Sequence, residues 1–122
     1  MYPRLFANYY SGGNYYGWHV DTALINNVRT DYSFTVFLKD PSTYEGGVLE
    51  MKMQDGEIKQ FKPPAGHMVL YPTGQLHRVT EVTSGSRISI VGWMQSAFSD
   101  LEDRMLRAEY LELIDVLKKE CE

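Results

Sequence analysis

The sequence predicts an all-β fold, a sandwich or barrel of short strands, followed by one C-terminal amphipathic helix. Three observations predict it. From Leu5 to about Val91 the apolar residues come in short runs of strand length. The runs are separated by "SGG", "KDPSTYEGG", "QDGE", "KPPAG", "YPTG" and "TSGS", in which glycine supplies left-handed backbone and proline presets φ, so these breaks read as loops. After Ser96 the apolar period changes from that of a strand to that of a helix.

The β body begins within the first ten residues and reaches "YYGWHVD" at 15–21. His19 and Asp21 stand two positions apart, a spacing that puts both side chains on one face only if the segment is extended. "YSFTVFL" at 32–38 is a core strand, since aromatic and β-branched residues dominate it without a breaker. "GVLEMKM", "EIKQF", "HMVLY", "LHRVTEV" and "SRISIVGWM" follow at strand length, and many short strands at such spacing call for closure or two packed sheets. Ser99 followed by Glu102 resembles a capping box. Leu101, Met105, Leu106, Leu111, Leu113, Ile114 and Leu117 then recur near helical spacing, so one amphipathic helix is expected over 99–119 with Lys118 and Lys119 at its favourable end. The division is thus a β domain at 1–98 and a helix and tail at 99–122.

A chain of 122 residues and 14.1 kDa supports one hydrophobic core rather than two domains. A net charge of −4 and a pI near 5.3 give no general pull toward nucleic acid or an anionic membrane. The single cysteine, Cys121, has no internal disulfide partner, which suits a reducing compartment. No apolar run reaches transmembrane length, and "MYPRLFANYY" lacks the order of a signal peptide. The cytoplasm is therefore the expected location, with no membrane or direct nucleic-acid partner.

Chemistry is concentrated in three histidines and one arginine. His19 and Asp21 supply two converging groups, and His77, at the head of an alternating strand, is the preferred third; His67 reads as an ordinary turn residue. Two histidines and a carboxylate on one side of a metal leave positions open for a bidentate ligand and oxygen, the arrangement of non-haem Fe(II) sites. Ten residues past His77, "SGSRISIVGW" places Arg87 in an apolar strand, with Ser89 on its face and Ile88 and Ile90 on the other. A guanidinium pointing inward needs an anion, either a protein acid or a small dicarboxylate whose geometry its planar fork matches.

These residues together resemble the HxD…H…R pattern of the Fe(II)/2-oxoglutarate-dependent oxygenases. "NYYSGGNYYGWHVD", "TVFLKDPSTYEGGVLEM" and "KPPAGHMVLYPTGQLHRVTEVTSGSRISIVGWMQS" resemble the prolyl 4-hydroxylase branch and, within it, the PKHD-type hydroxylases, over nearly all of 5–100. The resemblance implies a double-stranded β-helix (jelly-roll, cupin-like), with Fe(II) held by His19, Asp21 and His77. It implies that Arg87 takes the distal carboxylate of 2-oxoglutarate with help from Tyr10, for which Tyr9 is the competitor. Trp93 shares the face of Arg87 by strand parity and is expected to line the cosubstrate end. The implied reaction consumes O2, decarboxylates 2-oxoglutarate to succinate and hydroxylates a C–H bond of a prolyl or other peptidyl residue, a free amino acid or a small metabolite, with L-ascorbate as a family-typical reductant. The family places helices before the first barrel strand; here the helix at 99–119, or a second copy of the chain in a homodimer, is expected to cover that sheet. The rival readings are a cupin-type metal protein that does not use 2-oxoglutarate, which does not need Arg87, and a non-catalytic jelly-roll binding module, which does not need the ligand triad.

Overall fold

The computed structural model describes residues 5–96. They form eleven strands: β1 Leu5–Ser11, β2 Tyr16–His19, β3 Leu24–Ile25, β4 Val28–Arg29, β5 Tyr32–Phe37, β6 Tyr44–Gly46, β7 Leu49–Lys52, β8 Ile58–Phe61, β9 Met68–Pro72, β10 His77–Val79 and β11 Val82–Met94. A short 3-10 turn, Pro41–Thr43, precedes β6. The larger sheet runs β1-β11-β5-β9, with β6 also paired to β11; the smaller runs β2-β10-β7-β8; β3 and β4 make a separate hairpin. All the pairings are antiparallel. The fold is a jelly-roll sandwich. The helix expected over 99–119 lies outside the described residues.

Alternation sorts the side chains between the faces of the larger sheet. On β5, Ser33, Thr35 and Phe37 are buried and share one face by the period of a strand. Phe37 joins Leu49, Met51, Tyr71 and Val79 in a core drawn from both sheets, where each large apolar side chain contributes about 1.5–3 kcal/mol. The opposite face carries Leu5, Tyr9, Met68 and Leu70, all exposed. The β3–β4 hairpin turns through Asn26 and Asn27, both at positive φ (51° and 61°), the backbone that a two-residue hairpin favours and asparagine tolerates.

Two expected boundaries fail. "TSGS" reads as a loop, yet β11 runs straight through it, because Val82, Ser84 and Gly85 pair with β6 and the ladder satisfies their backbone groups. Gly85 (φ 71°) is needed there for a close approach rather than a turn: a Cβ would meet the backbone of Thr43 and Tyr44. The run "LHRVTEV" is correspondingly divided, His77–Val79 going to the smaller sheet and Val82 to the larger.

Candidate metal centre

β2 and β10 are neighbours in the smaller sheet, with His19 directly opposite His77. Asp21 lies just beyond the end of β2, held by its backbone N–H donating to Thr73 O (3.3 Å). Asp21 Oδ1 is 3.5 Å from Nε2 of each imidazole, and one ligand atom from each of the three residues lies within 4.8 Å of the others. Neighbouring ligand atoms around a transition metal with bonds of about 2.1 Å stand about 3 Å apart, so a small contraction would seat an ion.

The proton positions favour this use. His19 Nδ1 is 2.7 Å from Gly17 O, and His77 Nδ1 is 2.7 Å from Gln75 O. A carbonyl can only accept, so each Nδ1 carries the proton and each Nε2 presents a lone pair. Burial lowers the pKa of His77, with proximity to His19 acting the same way, against the Gln75 hydrogen bond and the Asp21 charge; the neutral ring is the form that binds metal. Asp21 is held on its other oxygen: Oδ2 accepts from Ser33 Oγ (2.6 Å) and Trp93 Nε1 (3.1 Å), leaving Oδ1 for the shared position. Such outer contacts orient ligands and tune metal affinity. Tyr71 OH approaches His77 Nε2 at 3.5 Å. Its phenol is pushed up to about 12 by burial and then by the charge of Asp21, and stays neutral.

A cavity of about 220 Å³ opens from these groups into the sandwich, and Arg87 stands on its wall. Arg87 is 2% exposed. Nε donates to Gly47 O and Nη1 to Ser89 Oγ, both at 3.1 Å, and the guanidinium lies 5.1 Å from the Phe37 ring centroid and 5.4 Å from that of Tyr10. Among the described residues no carboxylate pairs with it. Burial lowers its pKa, and the Tyr44, Tyr10 and Tyr71 phenols act in the opposite sense, but a guanidinium stays charged regardless. The cavity therefore has a metal-ligand set at one place and an acid-free cation at another. Gly47 is required beside it: at φ 62°, a Cβ would stand 2.9 Å from Arg87 Cδ and 3.1 Å from Tyr44 Cε2.

The remaining expected residues sort by register. Tyr10 pairs with Arg87 across β1 and β11 and lines the cavity, whereas Tyr9 is 63% exposed. Trp93 lines the same cavity, but its indole N–H is engaged with Asp21 rather than with Arg87. His67 is exposed and outside the cluster. Sequence reasoning missed Ser33, Gly47, Tyr71 and Ser89 as participants. Ser33 carried a readable signal, a polar residue alternating with Thr35 inside an apolar strand; Tyr71 and Gly47 depend on which strands pair.

The profile of the 2OG-Fe(II) oxygenase superfamily matches residues 5–95. The chain is 49% identical over 96 residues to a PKHD-type hydroxylase of Prochlorococcus marinus, covering 79% of this chain and 43% of that protein. It is 47% identical over 104 residues to one of Picosynechococcus, covering 85% and 47%. It thus spans less than half the length of these two relatives. Among solved structures it is similar to a Pseudomonas putida prolyl-4-hydroxylase (TM-score 0.63, 25% identity, covering 75% of this chain and 51% of that one). It shares the fold of a Burkholderia pseudomallei oxygenase of the 2OG-Fe(II) family (TM-score 0.66, 22% identity, covering 76% and 43%).

Proposed function

Because the chain belongs to the 2OG-Fe(II) oxygenase superfamily, we propose that it is an Fe(II)- and 2-oxoglutarate-dependent dioxygenase that hydroxylates a C–H bond of a prolyl or other peptidyl residue. One observation carries the reading: a single cavity holds both the His19, Asp21 and His77 ligand atoms and the buried, acid-free Arg87. A metal protein of another kind has use for the first and none for the second. The hydroxylase names of the relatives support hydroxylation, and the prolyl-4-hydroxylase name of the Pseudomonas putida structure supports a prolyl substrate, with a free amino acid or small metabolite as the alternative.

In this reading His19, Asp21 and His77 hold Fe(II), and Arg87 receives the distal carboxylate of 2-oxoglutarate beside the Tyr10 phenol. When bound, the pair supplies the oxidation, in which O2 and 2-oxoglutarate become CO2 and succinate while one oxygen atom enters the substrate C–H bond. The chain's own residues position these groups. Gly17 O and Gln75 O fix both imidazole tautomers, Ser33 and Trp93 restrain Asp21, and Gly47 O and Ser89 Oγ orient the guanidinium fork. Leu49 and Val79 give the cavity wall an apolar stretch. L-Ascorbate is the reductant for assays. A catalytic domain at 1–98 goes with this reading, as do a homodimer as a cover for the larger sheet and a cytoplasmic location, for which the single Cys121 is the support. No helix among the described residues is long and apolar enough to cross a membrane.

The test is anaerobic loading with Fe(II) and 2-oxoglutarate, followed by oxygen and a panel of proline-containing peptides and free proline. Succinate with a +16 Da product supports the reading. No succinate from protein that binds metal stoichiometrically returns the chain to the metal proteins that do not use 2-oxoglutarate.

A further inference from the structure

Two tyrosines approach the paired imidazoles, and they differ in what their hydroxyls can meet. Tyr16 reaches His19 through a bulge: His77 faces His19 and Val79 faces Tyr16, so three steps on β2 match two on β10. The extra residue brings the Tyr16 and His19 rings to 4.0 Å at 45°. Tyr16 is half exposed, which leaves its hydroxyl open to solvent. Tyr71 comes from the larger sheet, where it stands opposite Ser33 on the inward face. Its ring is centred 4.9 Å from that of His77, and it is 6% exposed.

This phenol has more protons around it than acceptors. Its oxygen lies 3.5 Å from His77 Nε2, and its other partner is the hydroxyl of Thr35, which is also buried and lines the same cavity. Two hydroxyls that share one bond leave one proton over, whichever of them donates. The acceptor that the structure offers for it is the lone pair of Nε2, because Nδ1 of that ring is held by Gln75 O. An ion takes that same lone pair. Once His77 ligates a metal, a buried O–H faces the cavity without its acceptor, and such a donor is costly until another arrives. The Asp21 oxygens are already claimed, Oδ1 by the shared ligand position and Oδ2 by Ser33 and Trp93.

The missing acceptor therefore comes with the ligand. Arg87 is oriented by Gly47 O and Ser89 Oγ at a different part of the wall, whereas Tyr71 lies directly against a metal ligand. The charges of Asp21 and Arg87 both act on the phenol, that of Asp21 more strongly, as they would on a group standing between the two and nearer the ligand cluster. We propose that Tyr71, with Thr35 behind it, donates a hydrogen bond to the metal-binding end of 2-oxoglutarate, the carboxylate beside the keto group. The inference rests on the oxygenase reading for the identity of the ligand, and on the phenol's own partners for the donor.

The test titrates 2-oxoglutarate and oxalate calorimetrically into the anaerobic Mn(II) form of the parent, Tyr71→Phe, Thr35→Val and Arg87→Met. Oxalate keeps a metal-chelating end and lacks a distal carboxylate. Tyr71→Phe should weaken both ligands by a similar factor of about tenfold, the order for a hydrogen bond to a charged acceptor, while the Mn(II) Kd stays within about threefold of the parent. Arg87→Met should weaken 2-oxoglutarate alone. Thr35→Val, which keeps the phenol, should weaken oxalate less than Tyr71→Phe does. Unchanged oxalate affinity in Tyr71→Phe, or a loss no greater than that in Thr35→Val, overturns the inference. So does a Mn(II) affinity that falls as far as the oxalate affinity, since Tyr71 would then orient His77 rather than hold a ligand. Failure of the oxygenase reading looks different: Tyr71→Phe still weakens oxalate, while 2-oxoglutarate binds the parent no more tightly than it binds Arg87→Met.

Discussion

Replacing Arg87 with methionine separates a cation kept for a ligand from one kept for the fold. The change removes the bonds to Gly47 O and Ser89 Oγ, and leaving those buried acceptors unmet costs about 1–3 kcal/mol each. It also removes a charge that is 2% exposed and has no acid partner among the described residues, which relieves several kcal/mol of desolvation, to order of magnitude. The two effects oppose, and ligand-free Arg87→Met should unfold within about 2 kcal/mol of the parent. With ligand the difference is large. In the Mn(II) form, 2-oxoglutarate at a hundred times its Kd stabilises the parent by about 2.7 kcal/mol. A hundredfold loss of affinity, the order expected for losing a charge-assisted fork, leaves about 0.4 kcal/mol at the same concentration. In thermal unfolding followed by circular dichroism, the ligand-induced rise in Tm should fall from roughly 10 °C to roughly 2 °C. A variant destabilised by more than about 3 kcal/mol without ligand, yet still raised fully by 2-oxoglutarate, would refute the reasoning, since Arg87 would then be a structural ion.

His19→Ala, Asp21→Ala and His77→Ala should each abolish stoichiometric Fe(II) binding by anaerobic titration while His67→Ala retains it; a dispensable His77 with an essential His67 would overturn the assignment. Trp93→Phe keeps a ring but deletes the donor to Asp21 Oδ2, so metal affinity should drop about tenfold with the fold intact, and an unchanged Kd would show that Ser33 restrains Asp21 alone. Tyr10→Phe should weaken 2-oxoglutarate binding several-fold by the same calorimetry, and Tyr9→Phe, on the exposed face, should not. The Gln60 hydrogen bond, and after it Arg78, holds Glu50 below its ordinary value of 4.5. Its stabilisation is therefore fully present above that pH and is lost as pH falls through the lower folded value, so Glu50→Gln should flatten this part of the acid limb in urea titrations.

How much of this could be read in advance depended on whether a feature is local. The inward direction of Arg87 and the outward direction of Ile88 and Ile90 follow from period-two alternation, which needs no knowledge of partners. The choice between Tyr10 and Tyr9 belonged to the same class once β1 was a strand. The uninterrupted course of β11 through "TSGS" was not legible, because a Gly-Ser run reads as a turn unless another strand pairs with it, and β6 does so from far away in sequence. The β2 bulge, the engagement of Trp93 with Asp21, and the approach of Tyr71 to His77 likewise arise from register between distant segments. An all-β sandwich or barrel was legible from short runs and turn formers, and the jelly-roll came from the family resemblance. That Leu5 and Tyr9 share an exposed face with Met68 and Leu70 was not legible, since which strands lie in one sheet is set by pairing between distant segments.

β2 has a single neighbour in its sheet, β10, and only four residues, with a register irregularity in the pairing. Short edge elements of this kind open first in local fluctuations that leave the rest of a domain folded. Yet β2 carries His19 and leads directly into Asp21, so a short edge seam of the sandwich is also where the metal ligands join. An ion shared by His19, Asp21 and His77 would act as a rivet across that seam, and its removal would be expected to loosen the margin before the strands around β11. Loaded and metal-free protein would then share one fold and differ in which part frays, and amide exchange on β2 would gauge metal occupancy.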